Sequence, residues 1–318
     1  MNKHEKIVLV THNDLDGVGC QILLKRIFPE YDIKVFNCNY DKVDGIVKKL
    51  IQSGEHYDRL LITDISVRDK EVIDMIDKQT CFGTVALLDH HDTVEYLNKF
   101  KWATVKKVDE TGKKVCGTSL LLDYIEKVMH IDIWQNLRYF TELVRLWDTW
   151  DWVEHKDEFE GMLPKKLNNL LHIYGIEKFA YIMYSRLYVG CAEELLDRTD
   201  ELILSIKQEE INNYINQKEA TMKKVIVNDH RVGVIFGEMY ISETGNELSN
   251  RHPELDYIAI LNGNVISLRT SKNDIHLGEI AKKYGGGGHQ QAAGFSMPSD
   301  KVDELLWLYF EHKVDFLE

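Results

Sequence analysis

The 318 residues include 39 Lys and Arg against 52 Asp and Glu, a net charge of −13, with 44% hydrophobic residues and only four prolines. That composition is globular, excludes disordered and collagen-like chains, and suits two ordinary domains, each with its own core. Both halves are acidic, −6 from Val225 onward and −7 before it, which argues against the basic stripe by which proteins grip long nucleic acid.

No window approaches eighteen uncharged apolar residues, and the N-terminal MNKHEKIVLVTHND runs into a strand-like stretch without a signal-peptide pattern. A cytoplasmic protein with no membrane association is expected. The five cysteines (Cys20, Cys38, Cys81, Cys116 and Cys191) are scattered and never form a CxxC pair, so reduced thiols are expected in place of disulfides or a thiolate metal site.

In chain order, short apolar runs alternate with amphipathic stretches from Ile7 to about His91: IVLVTH, GCQILLKRIF, IKVFNCN, VDGIVKKLI, RLLITD, KEVIDMID and TVALLDH. The pattern predicts repeated βα units, a parallel sheet with helices on both faces. Three of the four strand-like runs end in Asp or His, and in an open parallel sheet ligands sit just beyond the carboxyl ends of the strands. An edge strand follows at Trp102 to Val108, then helices from about Thr118 to Lys178, then a charged stretch from Glu193 to Lys223 that reads as a helical connector. From Val225 a second unit opens with VIVND, RVGVIFGE and a helix at ETGNELSNR. It continues with a hairpin marked by Asn-Gly in DYIAILNGNVISLRTS, the helix IHLGEIAKKY, the run GGGGHQQAAGF with a closing strand, and a terminal amphipathic helix. The expected layout is an α/β chain: a parallel-sheet domain over residues 1–190, a helical connector over 191–224 and a smaller α/β domain over 225–318.

Five constellations carry chemistry. Thr11-His12-Asn13-Asp14-Leu15-Asp16-Gly17 follows the first strand; His12, Asp14 and Asp16 alternate, so in an extended segment they would share a face, with Gly17 permitting a sharp turn. Metal binding is the natural reading, and an Asp-rich turn with Asp16 capping the helix is the alternative. Asp64 ends RLLITD and taken alone reads equally well as a helix cap. Asp89-His90-His91 ends TVALLDH, where two adjacent imidazoles beside a carboxylate are hard to explain by packing and should have different roles. Asp148 lies among aromatics in ELVRLWDTWDW, with Asp151 as its competitor. In the second unit, Gly286, Gly287 and Gly288 leave backbone N–H groups free to approach an anion, His289 could donate to a phosphate or base, and Arg269 could clamp a phosphate. Together His12, Asp14, Asp16, Asp64, His90 and Asp148 offer carboxylate and imidazole without thiolate, a set suited to manganese or magnesium and too large for one ion. Two cations about 3.5–4 Å apart, bridged by a carboxylate, would use them all, the arrangement that hydrolyses phosphate esters.

HNDLDG, the Asp of LLITD, the triplet DHH, the later Asp148 and a distal GGGGH with AAG resemble the DHH phosphoesterase superfamily with a DHHA1 C-terminal domain. The motifs run in the family's order over nearly the whole chain. Within the family, HNDLDGVGC, FTELVRLWDTWDW, ELSNRHPELDYIAIL and SLRT look most similar to the nanoRNase branch of bacterial oligoribonucleases, which clear very short RNA. The resemblance implies that His12, Asp14 and Asp64 hold one metal and that Asp16, Asp64, His90 and Asp148 hold the other, Asp64 bridging. It implies further that His91 contacts the scissile phosphate, that Asp89 orients ligands, and that Arg269 and His289 bind the substrate's terminal phosphate or sugar. Cys20 stands where many members carry Ser and is expected to pack behind the metal site.

The expected activity is a two-metal phosphodiesterase, with Mn2+ first and Mg2+ or Co2+ as alternatives, that degrades short RNA from one end to mononucleotides. Its partners would be short oligonucleotides or small nucleotides, with no stable complex on long nucleic acid and a homodimer left open. The rivals are a single-strand DNA exonuclease of the RecJ type, disfavoured by the acidity, and a 3′-phosphoadenosine 5′-phosphate phosphatase or linear dinucleotide hydrolase. A non-enzymatic nucleotide sensor would require a missing ligand, and none is missing.

Overall fold

The computed structural model describes residues 5–79, 82–155, 157, 161–189, 195–298, 301 and 304. β1 (Lys6–Thr11), α1 (Leu15–Ile27), β2 (Asp32–Asn37), α2 (Val43–Gln52), β3 (Tyr57–Thr63), α3 (Lys70–Lys78), β4 (Phe82–Asp89) and β5 (Ala103–Val105) alternate along the chain. The strands form a parallel sheet in the order β2-β1-β3-β4-β5. Residue parity decides which layer each side chain joins. Val8, Val10, Leu60, Ile62 and Leu87 pack with α2 and α3, whereas Ile7, Leu9, Leu61, Ala86 and Leu88 pack with α1 and the helices that follow. Those are α4 (Gly117–Lys127), α5 (Gln135–Asp148), α6 (Leu163–Tyr174) and α7 (Ile176–Val189). The chain runs from β1 out to β2 and then back to β3 on the other side, so the strand order reverses at β1. In open parallel sheets ligands bind at such a reversal, beyond the carboxyl ends of the flanking strands, here β1 and β3.

α8 (Arg198–Ala220) is one 23-residue helix. The chain divides into two compact units, Met1–Leu204 and Ser205–Glu318, and the division falls inside α8 rather than in a loop.

The second unit contains β6 (Lys223–Val227), β7 (His230–Phe236), α9 (Ile241–Arg251), β8 (Tyr257–Asn262), β9 (Val265–Arg269), α10 (Leu277–Lys282), β10 (Gly287–Gly288) and β11 (Ala292–Ser296). Its sheet runs β10-β11-β9-β8-β7-β6, with β7 and β8 parallel and the other pairs antiparallel. Ile215 and Leu248 bury one face with Ile258 and Ile260, and Leu277 and Ala281 bury the other with Ala259 and Leu268. β8 and β9 join through Gly263 and Asn264, with Gly263 at φ 56, so the turn sits one residue beyond the register in which Asn262-Gly263 would itself make it. The terminal helix expected from the sequence lies almost wholly outside the described residues. Among the described residues no helix is long and apolar enough to cross a membrane.

Candidate metal centre

The site is assembled where three strands end. Past β1 the chain stays extended only to Asp14, which caps α1 by accepting from the Gly17 N–H at 3.0 Å, so Asp14 and not Asp16 is the cap. A Cβ on Gly17 would fall 2.2 Å from the His12 carbonyl oxygen, which only glycine avoids. Asp16 therefore lies in the first helical turn, away from the extended segment, and the expected common face for His12, Asp14 and Asp16 does not form. His12 Nδ1 instead lies 2.7 Å from Asp14 Oδ2 and 3.8 Å from Asp64 Oδ2. Asp16, 1% exposed, turns the other way, its carboxylate accepting from the Gly117 and Thr118 N–H groups at 2.5 and 2.8 Å.

Asp64, at φ 57 just after β3, stands between these two groups. Its Oδ2 faces His12, and its Oδ1 lies 3.2 Å from His90 Nε2. The same His90 nitrogen is 3.8 Å from Asp16 Oδ2 and 3.5 Å from Asp148 Oδ2 at the end of α5. His12, Asp14 and Asp64 thus form one set of converging ligand atoms, and Asp16, His90 and Asp148 form another. Asp151 points elsewhere, bound to Lys114 at 2.6 Å and to Arg145 at 2.7 Å.

The two imidazoles of the DHH triplet lie 4.3 Å apart, ring centre to ring centre, but take different partners. His91 Nδ1 donates to Asp89 Oδ1 at 2.7 Å, and Asp89 also accepts from the His90 N–H and from Ser66 Oγ. On its far side, His91 Nε2 lies 3.3 Å from Tyr40 Oη, and the Tyr40 ring is 5.0 Å from that of His12. Tyr40, Ser66, Gly117 and Thr118 carry no motif signal; only their approach across long stretches of chain identifies them. Gly117 packs so tightly that a Cβ there would lie 2.5 Å from Asp64 Cβ. Cys20 is fully buried, its thiol 3.6 Å from Thr118 Oγ1 and pushed up by burial and the Asp16 charge.

The electrostatics of the cluster follow from the crowding of its carboxylates. Burial and the charges of Asp16, Asp14 and Asp148 push Asp64 well above the usual carboxylate range. Burial together with Asp16, Asp14 and Asp89 pushes Asp148 up to about 9. Asp14 is half-exposed; partial desolvation raises it, but the neighbouring His12 and the Gly17 N–H outweigh that and hold it at about 2. His90 is lowered by burial, whereas His91 is raised by its bond to Asp89. Asp64 Oδ2 and Asp148 Oδ2 are buried without a hydrogen-bond donor among the described residues. A cation would relieve this crowding of carboxylates, and an oxygen and imidazole donor set without thiolate fits a divalent metal.

In the second unit the glycine run differs from the expected anion cradle. The Gly285 and Gly286 N–H groups donate to the Lys282 and Ala281 carbonyls, the His289 N–H donates to Ala292, and Gly287 and Gly288 pair with β11. A Cβ on Gly286 would sit 2.1 Å from the Gly294 carbonyl oxygen, so this glycine serves close backbone packing. The exposed His289 and half-buried Arg269 share one corner, since Arg269 pairs with Ala292, whose carbonyl receives the His289 N–H. Arg269 donates to its neighbour's carbonyl and to Ser242 Oγ at 3.1 Å, with no carboxylate partner among the described residues.

Residues 252–311 match the DHHA1 domain family. Over 306 residues the chain is 36% identical to oligoribonuclease NrnB of Bacillus subtilis (strain 168), an alignment covering 94% of this chain and 74% of that one. It is 24% identical over 322 residues to a 3′,5′-cyclic-nucleotide phosphodiesterase of Helicobacter pylori, covering 90% and 91%. The solved pGpG-specific phosphodiesterase PggH of Vibrio cholerae shares the fold, with a TM-score of 0.56 at 16% identity over 97% of this chain and 100% of that one. The chain belongs to the DHH phosphoesterase family, hydrolases of phosphodiester bonds, and its second unit carries the DHHA1 domain.

Proposed function

We propose that the protein is a two-metal phosphodiesterase, with Mn2+ as the first candidate, that removes nucleotides from short RNA oligonucleotides until mononucleotides remain. The observation that carries this reading is Asp64, which offers one carboxylate oxygen toward His12 and the other toward His90. His12, Asp14 and Asp64 would hold one cation, and Asp16, Asp64, His90 and Asp148 the other. When bound, the pair supplies charge to phosphate oxygens and acidifies water for in-line attack at phosphorus. His91, locked by Asp89 and Ser66, would turn Nε2 toward the equatorial oxygens, where negative charge gathers. Gly117 and Thr118 hold Asp16, fixing a ligand through its own hydrogen bonds. Arg269 and His289 would bind the substrate's terminal phosphate or sugar.

Short RNA is favoured as substrate by the 36% identity to an oligoribonuclease and by the −13 charge, which opposes a long polymer grip. The cytoplasm is the compartment that goes with free, buried Cys20, Cys38 and Cys116. The test is a panel with Mn2+: RNA of two to six nucleotides, 3′-phosphoadenosine 5′-phosphate, linear and cyclic dinucleotides, and long single-stranded DNA. Short RNA should be turned over fastest. Processive degradation of long DNA with short RNA untouched would replace this reading with a DNA exonuclease.

A further inference from the structure

We propose that Arg68, laid on the ring of Tyr40 at the mouth of the metal centre, forms a subsite for a second, non-scissile phosphate of the substrate. This rests on the phosphodiesterase reading and deepens it, because it predicts which ends of a short oligonucleotide the enzyme prefers.

The backbone that launches Arg68 is fixed at both ends. Asp64 stands in the metal centre, Ile65 and Val67 are fully buried, Ser66 is bound to Asp89, and the N–H groups of Arg68 and Asp69 both donate to Asp44 Oδ1 at 3.0 Å. From this anchored turn the guanidinium reaches over Tyr40, 5.3 Å from the ring centroid. The Tyr40 ring in turn lies 5.0 Å from His12 and 6.0 Å from His91. Arg68 therefore sits one aromatic ring away from the ligand cluster.

Its donors are free. Arg59, Arg138, Arg145, Arg186 and Arg251 each pair with a carboxylate, yet the Arg68 guanidinium has neither an ion pair nor a hydrogen bond among the described residues, in a chain of net charge −13. The adjacent Asp69 is engaged in capping α3 through the Glu71 N–H. A guanidinium held over an aromatic ring by cation–π attraction keeps its N–H donors available, and their planar fork matches two phosphate oxygens. Oligonucleotides supply the ligand, since a phosphate recurs at every nucleotide along the strand. A phosphate next to the one undergoing hydrolysis falls within reach of such a side chain.

The test uses the Mn2+-loaded full-length protein with ApA, its 5′-phosphorylated form pApA and its 3′-phosphorylated form ApAp. Wild type should prefer one phosphorylated form over ApA by about 10- to 100-fold in kcat/KM, chiefly through KM, as for one charge-assisted contact. Arg68→Ala should collapse the preference for a phosphate at one end and leave the opposite end, assigned to Arg269 and His289, as in wild type; Arg68→Lys should restore part of the lost preference, Tyr40→Phe should retain it and Tyr40→Ala should lose it. Equilibrium binding of a phosphorylated ApA analogue with a non-cleavable methylphosphonate linkage should weaken by a similar factor in Arg68→Ala. A wild type indifferent to terminal phosphate, or a preference unchanged in Arg68→Ala, overturns the subsite while leaving phosphodiester hydrolysis intact. Failure of wild type to cleave any RNA, with binding still dependent on Arg68, overturns the RNA reading and keeps the subsite.

Discussion

Asp64 occupies the left-handed backbone region at φ 57, where Asn and Asp are tolerated better than most side chains. An Ala there would add about 1–2 kcal/mol of strain and so confuse a folding defect with a catalytic one. Asp64→Asn is the cleaner change, because it keeps the shape and the backbone preference and removes only the charge. Mn2+-dependent hydrolysis should fall about 1000-fold or more. The metal-free variant should melt at a higher temperature than metal-free wild type, since a buried carboxylate facing Asp16, Asp14 and Asp148 has been neutralised. Turnover within tenfold of wild type, with normal Mn2+ dependence, would remove Asp64 from the bridge. Asp64 and His90 were legible as a pair because strands of one parallel sheet must end side by side. Gly117 and Thr118 were not, because their grip on Asp16 spans a hundred residues and depends on how α4 approaches the sheet, which no local pattern encodes.

Among the elements, the parallel sheet was the most legible, since doubly buried strands read as continuous apolar runs between amphipathic helices. The junction after β1 was not. Alternation of His12, Asp14 and Asp16 implied an extended face, but α1 begins at Leu15 and rotates Asp16 toward α4. The glycine run shows the same limit, because flexibility for a ligand and room for a neighbouring strand demand the same residue. The structure separates the two. Gly286 has the Gly294 carbonyl oxygen in the place of a Cβ, whereas Gly287 has open space within 4 Å and no positive φ. Gly286→Ala should therefore destabilise the second unit by about 1–3 kcal/mol, read as a fall in melting temperature. Gly287→Ala should leave the melting temperature in place, and it should raise KM for short RNA about tenfold if substrate reaches the open side of this strand beside His289. An unchanged KM would free Gly287 from that role.

At the scale of the whole molecule, folding brings Asp14, Asp16, Asp64 and Asp148 together, so stability, pH and metal binding are linked. Asp148 is pushed up to about 9, against about 3.9 for an unfolded Asp, and Asp64 is raised as well. Between those values the folded state holds protons that the unfolded state has released, so stability falls as pH rises. His91, raised in the fold, acts in the same direction, while His90, lowered, opposes it near neutrality. Asp14, Asp151 and Glu254, all at about 2, lose their stabilising effect only as pH drops below about 4, outside this window. Protein stripped with EDTA should accordingly melt at progressively lower temperature from pH 5 to pH 8. Added Mn2+ must displace the retained protons, so its affinity rises with pH and its stabilisation of the fold grows in the same direction. Asp148→Asn should flatten the decline in the stripped protein. A melting temperature of stripped wild type that stays level or rises over this range, with equal Mn2+ shifts at both ends, would mean that the carboxylates are charged and compensated without metal, and the cluster would no longer require a cation to explain it.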